Sequence, residues 1–450
     1  MKQDTSPGST AKSKKIRSYA AKTCGYLLLF FMMYFLLLGL FLLSVKTIPR
    51  DRVLPNLKRS AEFLKDKDPL AMEIEGILAS RRDYTCDPYF LCILYYQDSE
   101  NAAYTIAKAP YYTEEKEVAP RMFYHAVTND PPANTEYLRY WHGGTAIVRV
   151  LLLFTDLVGI YRLFAIVFAL LYLLLTTLLL LHKHLSLWVC LSVCFAAGSL
   201  WFAAGAIEFI WSALLMLLFS LIVTLLCRYR KEKLFAPLCL VVGMLTAFLD
   251  FLTYETVTLT VPAVLFCGLC LANNKDIKQV AKQSAKGAAA WLFGYVCMWA
   301  GKWVYAALIL QENVMPYVTG HIEERLVGEM PLPDSYLAGS FVLLHREFAA
   351  LFPFGYGKAG LVLGLMGLLV LAAFCYVFHK KGADRRVLLL YLLWSLVPIL
   401  RFLVLRNHTA THIAYTFRAL MGTVLAWTLM LVQGLDLSPF QKKHQTSRKR

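Results

Sequence analysis

GYLLLFFMMYFLLLGLFLLSV, Gly25 to Val45, carries no charged residue and matches the ~17–25 apolar residues that a helix needs to cross a bilayer. A secretory signal has a core of only ~7–15 apolar residues followed by a small-residue cleavage site, and this run fits neither description. Lys12, Lys14, Lys15, Arg17 and Lys22 stand ahead of it. Lys and Arg collect on the cytoplasmic side of membrane helices. The stretch therefore reads as a retained first transmembrane helix over 23–45, with 1–22 a cytoplasmic basic tail and the chain beyond Val45 outside.

Composition extends that reading to the whole chain. Hydrophobic residues are 58% of the 450 and charged ones 17%, against ~25% charged in soluble domains. Further apolar runs at about 158–181, 185–205, 208–227, 235–251, 254–272, 288–309, 357–378, 387–405 and 416–433 bring the total to about ten spans. The fold class is an all-α polytopic membrane protein with a large first extracytoplasmic loop and an interfacial helix. The ten-residue alternation of a β-barrel is absent. The expected layout is an outer loop over 46–157, a six-helix membrane region over 158–309, a second outer loop over 310–356, a three-helix region over 357–433 and a basic tail over 434–450.

A net charge of +16 would suit a nucleic-acid binder, but the basic residues sit in clusters between apolar runs: His182-Lys183-His184, Arg228 to Lys233, Lys275 to Lys286, Lys380 to Arg386 and Lys442 to Arg450. This is the positive-inside pattern. It argues against a nucleic-acid partner and places both termini in the cytoplasm. Most of the eleven cysteines lie inside apolar runs and behave as small hydrophobes. Cys86 and Cys92 fall in the outer loop, and a disulfide between them is left open.

Within that loop Leu54, Leu57, Ala61 and Leu64 recur at helical spacing, giving an amphipathic helix that lies on the membrane or on neighbouring spans. Asn129-Asp130-Pro131-Pro132 is a turn. It leads into Glu136-Tyr137-Leu138-Arg139-Tyr140-Trp141-His142-Gly143-Gly144, which packs a carboxylate, a guanidinium, an imidazole, three aromatic rings and two glycines into one short stretch. An interfacial aromatic belt ending in a helix-starting turn accounts for this composition as well as a binding element does. Next, Thr145, Arg149 and Asp156 fall within about 40° of one another around a helix, with Ile147, Val150, Leu151 and Leu153 opposite, which predicts a short interfacial helix.

The unusual polar residues collect on the outer side: Glu208, then Asp250, Thr253 and Glu255, then Lys302 and Trp303, then Asn407, His408, His412 and Arg418. Ionisable groups at membrane depth are costly and face a cavity or a partner. A transporter would place them near the midplane instead. Each also has a plainer reading. Asp51 can cap a helix, and Glu208 and Asp250 can pair with a nearby Lys or Arg. His408 and His412 have i,i+4 metal spacing, but without a His-Glu-x-x-His pattern no metal or other cofactor is expected.

The layout resembles the C-type integral-membrane glycosyltransferases: one amino-terminal span, a large first outer loop with an acidic residue just past the membrane, an interfacial helix, and further spans with polar motifs on the outer face. Ile48-Pro49-Arg50-Asp51, Arg139-Tyr140-Trp141-His142-Gly143, Asp250-Phe251-Leu252-Thr253 with Pro262, and Asn407-His408-Thr409 with His412 and Arg418 resemble stretches in uncharacterised polytopic proteins of Gram-positive bacteria. The first loop departs from that superfamily in lacking an adjacent acidic pair, leaving Asp51 alone, and no carboxy-terminal soluble domain is expected. The resemblance implies a bacterial plasma-membrane enzyme that moves a sugar from a polyprenyl-phosphate-linked donor to an envelope acceptor, with the lipid entering from the bilayer. It makes Asp51 the base, with Asp250 the second candidate. Arg139, His142, Lys302 and Arg418 would bind phosphate, His408 and His412 would add to substrate binding, and Tyr140 and Trp141 would stack on a sugar or prenyl chain. A carrier for lipid-linked saccharide and a non-enzymatic envelope assembly protein are the alternatives.

Overall fold

The computed structural model describes residues 7–327, 332–333, 335–380 and 382–436, with 7–19 described by backbone alone. Asp334 and the tail from Lys442 to Arg450 lie outside the described residues. The described residues are mostly helical, with almost no sheet. α1 (Pro7–Thr47) leads into a loop domain of α2 (Arg50–Leu64), α3 (Cys86–Tyr95), α4 (Ala102–Lys108), α5 (Ala119–Asn129) and α6 (Gly144–Leu151). A two-residue antiparallel ladder, β1 (Pro110–Tyr111) on β2 (Thr135–Glu136), pairs Pro110 with Glu136. The bundle follows as α7 (Leu157–Leu181), α8 (Leu185–Ala197), α9 (Ile207–Arg228), α10 (Phe235–Leu249), α11 (Val257–Ala272) and α12 (Ile277–Leu310). α13 (Met315–Val327) and α14 (Tyr336–Ala349) precede α15 (Gly357–Val377), α16 (Arg385–Val404), α17 (Arg406–Thr411), α18 (Ile413–Thr416) and α19 (Met421–Gln433).

Among the described residues eight helices are long and apolar enough to cross a bilayer, which makes this a multi-pass membrane protein. Two segments expected as spans are shorter. α8 has 13 residues and gives way to a 3₁₀ turn over Leu200–Gly205, after Ser199 adopts a left-handed φ of 48°. α11 has 16 residues, because residues 250–256 form a turn before it starts. At ~1.5 Å per residue these helices span about 20 and 24 Å, short of a ~30 Å hydrocarbon core. α11 is the centre of the bundle, buried at every position from Val257 to Cys270. α12 starts earlier than expected, because the Asp276 side chain caps it by accepting from Gln279 N at 3.1 Å, so Lys278, Lys282 and Lys286 ride on the helix. α10 and α12 cross at backbone contact. A Cβ at Gly243 would stand 2.2 Å from the Trp291 carbonyl oxygen, and one at Gly294 would stand 2.3 Å from that of Leu240. α15 is exposed along nearly its whole length, with Gly360 and Gly364 its buried residues.

The loop domain rests on the bundle. α2 buries Val53, Leu57, Ala61 and Leu64 mainly against the loop helices α5 and α3 and also against the start of α7, so only in this last contact does it lie on a neighbouring span as its periodicity allows. Asn56 Nδ2 donates to the Leu152 carbonyl at 2.8 Å, and Leu157 N donates to Ser60 Oγ at 2.9 Å. α6 forms where the periodicity places a helix, but with its faces reversed from the usual surface arrangement. Thr145 and Arg149 are buried while Ile147 and Val150 are exposed. Asp156 belongs to the next element, capping α7 through Gly159 N. Cys86 and Cys92 are both free thiols.

Arg149 explains the reversal of α6. Its guanidinium donates to the carbonyls of Ile48 at 2.8 Å and Leu94 at 2.6 Å and to the Gln97 side-chain oxygen at 3.2 Å, joining the end of α1 to the end of α3. Burial pulls its pKa down to about 10, so it stays charged at neutral pH. Arg149→Met is expected to leave these acceptors unpaired and lower stability by about 2–4 kcal/mol, read as a fall in melting temperature of the detergent-solubilised protein. Ile147→Ala on the exposed face of the same helix should shift it little.

Candidate functional site

The Glu136–Gly144 stretch is an internal wall, not a surface belt. Gly143 N donates to the Phe248 carbonyl at 2.9 Å, and a Cβ on Gly143 would stand 2.3 Å from the Phe248 ring, so only glycine permits this approach. Trp141 is fully buried, its indole nitrogen donating to the Met298 carbonyl at 2.7 Å and its ring stacked on Tyr305 at 5.8 Å. It anchors the wall to α12 and offers no face to a sugar or prenyl chain. His142 turns through a left-handed φ of 55° and donates from Nε2 to the Tyr137 carbonyl at 2.9 Å, which leaves Nδ1 as a bare, buried acceptor. Burial, opposed by that carbonyl, holds the imidazole at about 3, so it is neutral and supplies no charge to a phosphate.

On one side of the wall lies a lateral groove of about 630 Å³, bounded by α12, α13, α16 and the turn before α11. Its floor is a ladder on α12 with a period of four residues: Trp291, Tyr295, Trp299 and Trp303, with neighbouring ring centroids 4.9, 5.7 and 5.8 Å apart. Spacing of i,i+4 puts all four rings on one face. Its rim includes Leu292, Val296, Leu400 and Val404, all exposed, so the groove opens sideways where a bilayer would lie.

Two guanidiniums line the groove. Arg139 lies with Nη1 3.2 Å from His321 Nε2, and its Nη2 donates to the Tyr137 hydroxyl at 2.9 Å. His321 Nδ1 donates to Glu324 at 2.9 Å. Arg325 Nη1 lies 3.3 Å from both His408 Nδ1 and His412 Nε2, and His408 Nε2 donates to the Leu252 carbonyl at 2.6 Å. The two imidazoles thus accept from a cation, an arrangement unlike that of metal ligands. The Nε atoms of Arg139 and Arg325 are buried without a partner. Tyr140 lines the groove edge-on to Trp299 at 5.7 Å. Glu255 also lines it, in a two-pronged ion pair with Arg401 at 3.1 and 3.2 Å.

The structure brings some of the expected residues together and sets others apart. Asp250 lies in the turn that meets the wall, with Phe251 and His142 ring centroids 5.0 Å apart. Its carboxylate accepts from Ser212 at 2.8 Å, from Thr253 N at 2.9 Å and from the Thr253 hydroxyl. Burial, then Glu255, push its pKa up to about 6. Lys302 donates to the carbonyls of Ile106 and Ala107 at 2.6 and 2.8 Å, closing the end of α4. Arg418 donates to the carbonyls of Ala79 and Ala414 at 2.9 and 3.2 Å. Both cations are committed to backbone. Asp51 is exposed in the first turn of α2, outside the groove lining, and Pro49 takes the N-cap position. His321 and Arg325 stand out in the sequence as polar residues of the second outer loop but not as site candidates, and Arg401 and the α12 ladder were not picked out, although the four-residue aromatic spacing was readable there.

On the other side of the wall a small cavity of about 50 Å³ is lined by Cys86, Tyr89, Phe90, Ile93, Tyr137, His142, Glu208 and Phe251. A pairing of Glu208 with a nearby Lys or Arg is the plainer of its two readings from sequence. Its neighbours are instead Asp83 and Cys86, all three presenting ligand atoms within 4.8 Å of one another.

No family model matches the chain, and neither a curated protein nor a solved structure matches it.

Burial, then Arg325, hold His412 down at about 4, and burial, then Arg401 and His412, hold His408 low as well. A histidine whose folded pKa lies below the unfolded ~6.5 contributes its full stabilisation above 6.5 and loses it as pH falls toward the folded value. The melting temperature should therefore carry a component that falls between pH 6.5 and 4. His412→Gln, which cannot titrate, should reduce that slope relative to wild type.

Proposed function

We propose that the protein is an integral-membrane glycosyltransferase of a bacterial plasma membrane, moving a sugar from a polyprenyl-phosphate-linked donor to an envelope acceptor at the extracytoplasmic face. The observation that carries this reading is the groove, aromatic and aliphatic along its length, open between lipid-exposed residues and furnished with Arg139 and Arg325. An isoprenoid chain is apolar throughout and its phosphate is anionic. Guanidiniums in a partly dehydrated site are the strongest protein partners for that group. The chain enters sideways and lies along the α12 ladder, while Arg139 and Arg325 neutralise the phosphate and stabilise it as it departs. Asp51, which lies outside the groove lining, is the proposed base, and it would act on the hydroxyl of an acceptor arriving from the extracytoplasmic face. The proposal includes ten spans, with α8 plus its 3₁₀ turn and α11 completing the count, and both termini in the cytoplasm.

A carrier of lipid-linked saccharide is the second reading, favoured by one observation. Among the described residues the groove is lined by a single carboxylate, Glu255, and that group is paired with Arg401.

With purified protein and a radiolabelled polyprenyl-phosphate sugar, Arg139→Ala is expected to weaken donor binding by about 10–100-fold, the worth of a charge-assisted hydrogen bond. Asp51→Asn should bind the donor and lose about 10²–10⁴ in transfer rate. Full transfer by Asp51→Asn would remove Asp51 from the mechanism. Movement of intact donor across a vesicle membrane without cleavage would establish the carrier. Sidedness is read separately, in a background lacking the exposed Cys24. An impermeant thiol reagent should label Glu100→Cys in intact cells and leave Lys278→Cys unlabelled, both positions being exposed.

A further inference from the structure

Asp83, Cys86 and Glu208 converge from two distant parts of the chain. Asp83 and Cys86 sit three residues apart at the entry to α3, and Glu208 lies in the first turn of α9. Asp83 Oδ1 accepts from Cys86 N at 2.9 Å and from Thr85 N at 3.3 Å, which orients the carboxylate and leaves Oδ2 buried without a partner. Glu208 Oε2 is likewise buried and unpartnered. Both residues are 4% exposed, and no salt bridge reaches either among the described residues. Asp87 is not a third free carboxylate. It accepts from the backbone nitrogens of Ile207 at 3.0 Å and Glu208 at 3.3 Å and from the Tyr161 hydroxyl at 2.5 Å, which holds the start of α9 in place beside the cluster.

A separate observation points the same way. His142, 2% exposed, lines the same 50 Å³ cavity as Cys86 and Glu208, and its unpartnered Nδ1 is the lone-pair nitrogen because Nε2 donates to Tyr137. The Glu208 carboxylate, the Cys86 sulfur and the His142 lone pair line one cavity, the Asp83 carboxylate lies within 4.8 Å of the first two, and no cationic side chain pairs with either carboxylate among the described residues. Burying such a set without a cation costs several kcal/mol per charge.

We propose that Asp83, Cys86 and Glu208 bind a divalent cation of the zinc class, with a water in the fourth position held by His142 Nδ1. Metal–ligand lengths of about 2.0–2.3 Å place tetrahedral ligand atoms about 3.3–3.8 Å apart, so ligands spanning 4.8 Å need to close by about an ångström. The thiolate selects zinc over magnesium or calcium, which take six or more oxygens in place of a mixed set. Zinc binding releases the Cys86 proton to solvent. The ion would tie the entry of α3 to the start of α9 and back the wall of the groove. It does not depend on the sugar-transfer reading.

The test uses the full-length protein in detergent, stripped with a strong chelator and titrated with zinc, with metal content read by elemental analysis. About one zinc per chain is expected, with a rise in melting temperature and protection of Cys86 from alkylation. Cobalt in its place should show a thiolate charge-transfer band. Cys86→Ser and Glu208→Gln should each lower zinc affinity by more than about 100-fold while eluting as the wild type does on gel filtration, since even an outer-shell partner costs ~10–100-fold. His142→Gln should cost less. Three results would overturn the proposal: no zinc retained by wild type, zinc retained undiminished in both ligand variants, or a Glu208→Gln chain that melts higher than wild type with and without zinc. The last would mark an acid cluster held by protons.

Discussion

Backbone carbonyls at the loop end of the bundle need hydrogen-bond donors that neither a regular helix nor a bilayer supplies. Where the chain leaves helical geometry at membrane depth, each polar group must find a partner inside the protein. Four buried cations meet that need. Arg149 takes carbonyls at Ile48 and Leu94, Lys302 those at Ile106 and Ala107, Arg401 those at Leu252 and Thr253, and Arg418 those at Ala79 and Ala414. Each joins segments far apart in the chain. The wall, the turn at Asp250 and the loop domain hold their positions because these side chains bind carbonyls that would otherwise be orphaned.

That constraint decides which charges remain for chemistry. Arg149 and Arg418 spend their guanidiniums on carbonyls, and Arg401 divides its own between carbonyls and the Glu255 carboxylate, so none of the three can turn to a further anion without unmaking the fold around it. Arg139 and Arg325 differ in kind, since their partners are imidazoles and a phenol hydroxyl. Imidazole and phenol acceptors give up less than backbone carbonyls of the fold when a phosphate arrives. The groove is therefore a place where apolar surface and available positive charge coincide, next to an aromatic floor that is stiff because its rings are spaced one helical turn apart.

The wall has two faces with opposite character. Tyr140 turns toward the apolar groove, while His142 turns toward the cavity of Cys86 and Glu208. The left-handed turn at His142 and the close packing of Gly143 on Phe248 fix both orientations at once. A cation on the acidic side would stiffen the segment that carries Arg139, three residues before His142.

The apolar runs, their basic flanks and the four-residue spacing on α12 are properties of contiguous chain. Hydrocarbon thickness and helical period act on such runs one at a time, so the all-α, multi-pass class was legible from residues such as Gly25 to Val45. The periodicity of α6 located a helix but not its outward face, because a polar stripe seeks water in a soluble protein and the interior in a bilayer. Spacing also could not tell that Lys302 and Arg418 bind carbonyls, or that Asp83 meets Glu208. Those outcomes depend on which segments lie side by side. Hydrogen bonding and packing satisfy whatever atoms the fold brings within reach, and distance along the chain has no part in that choice.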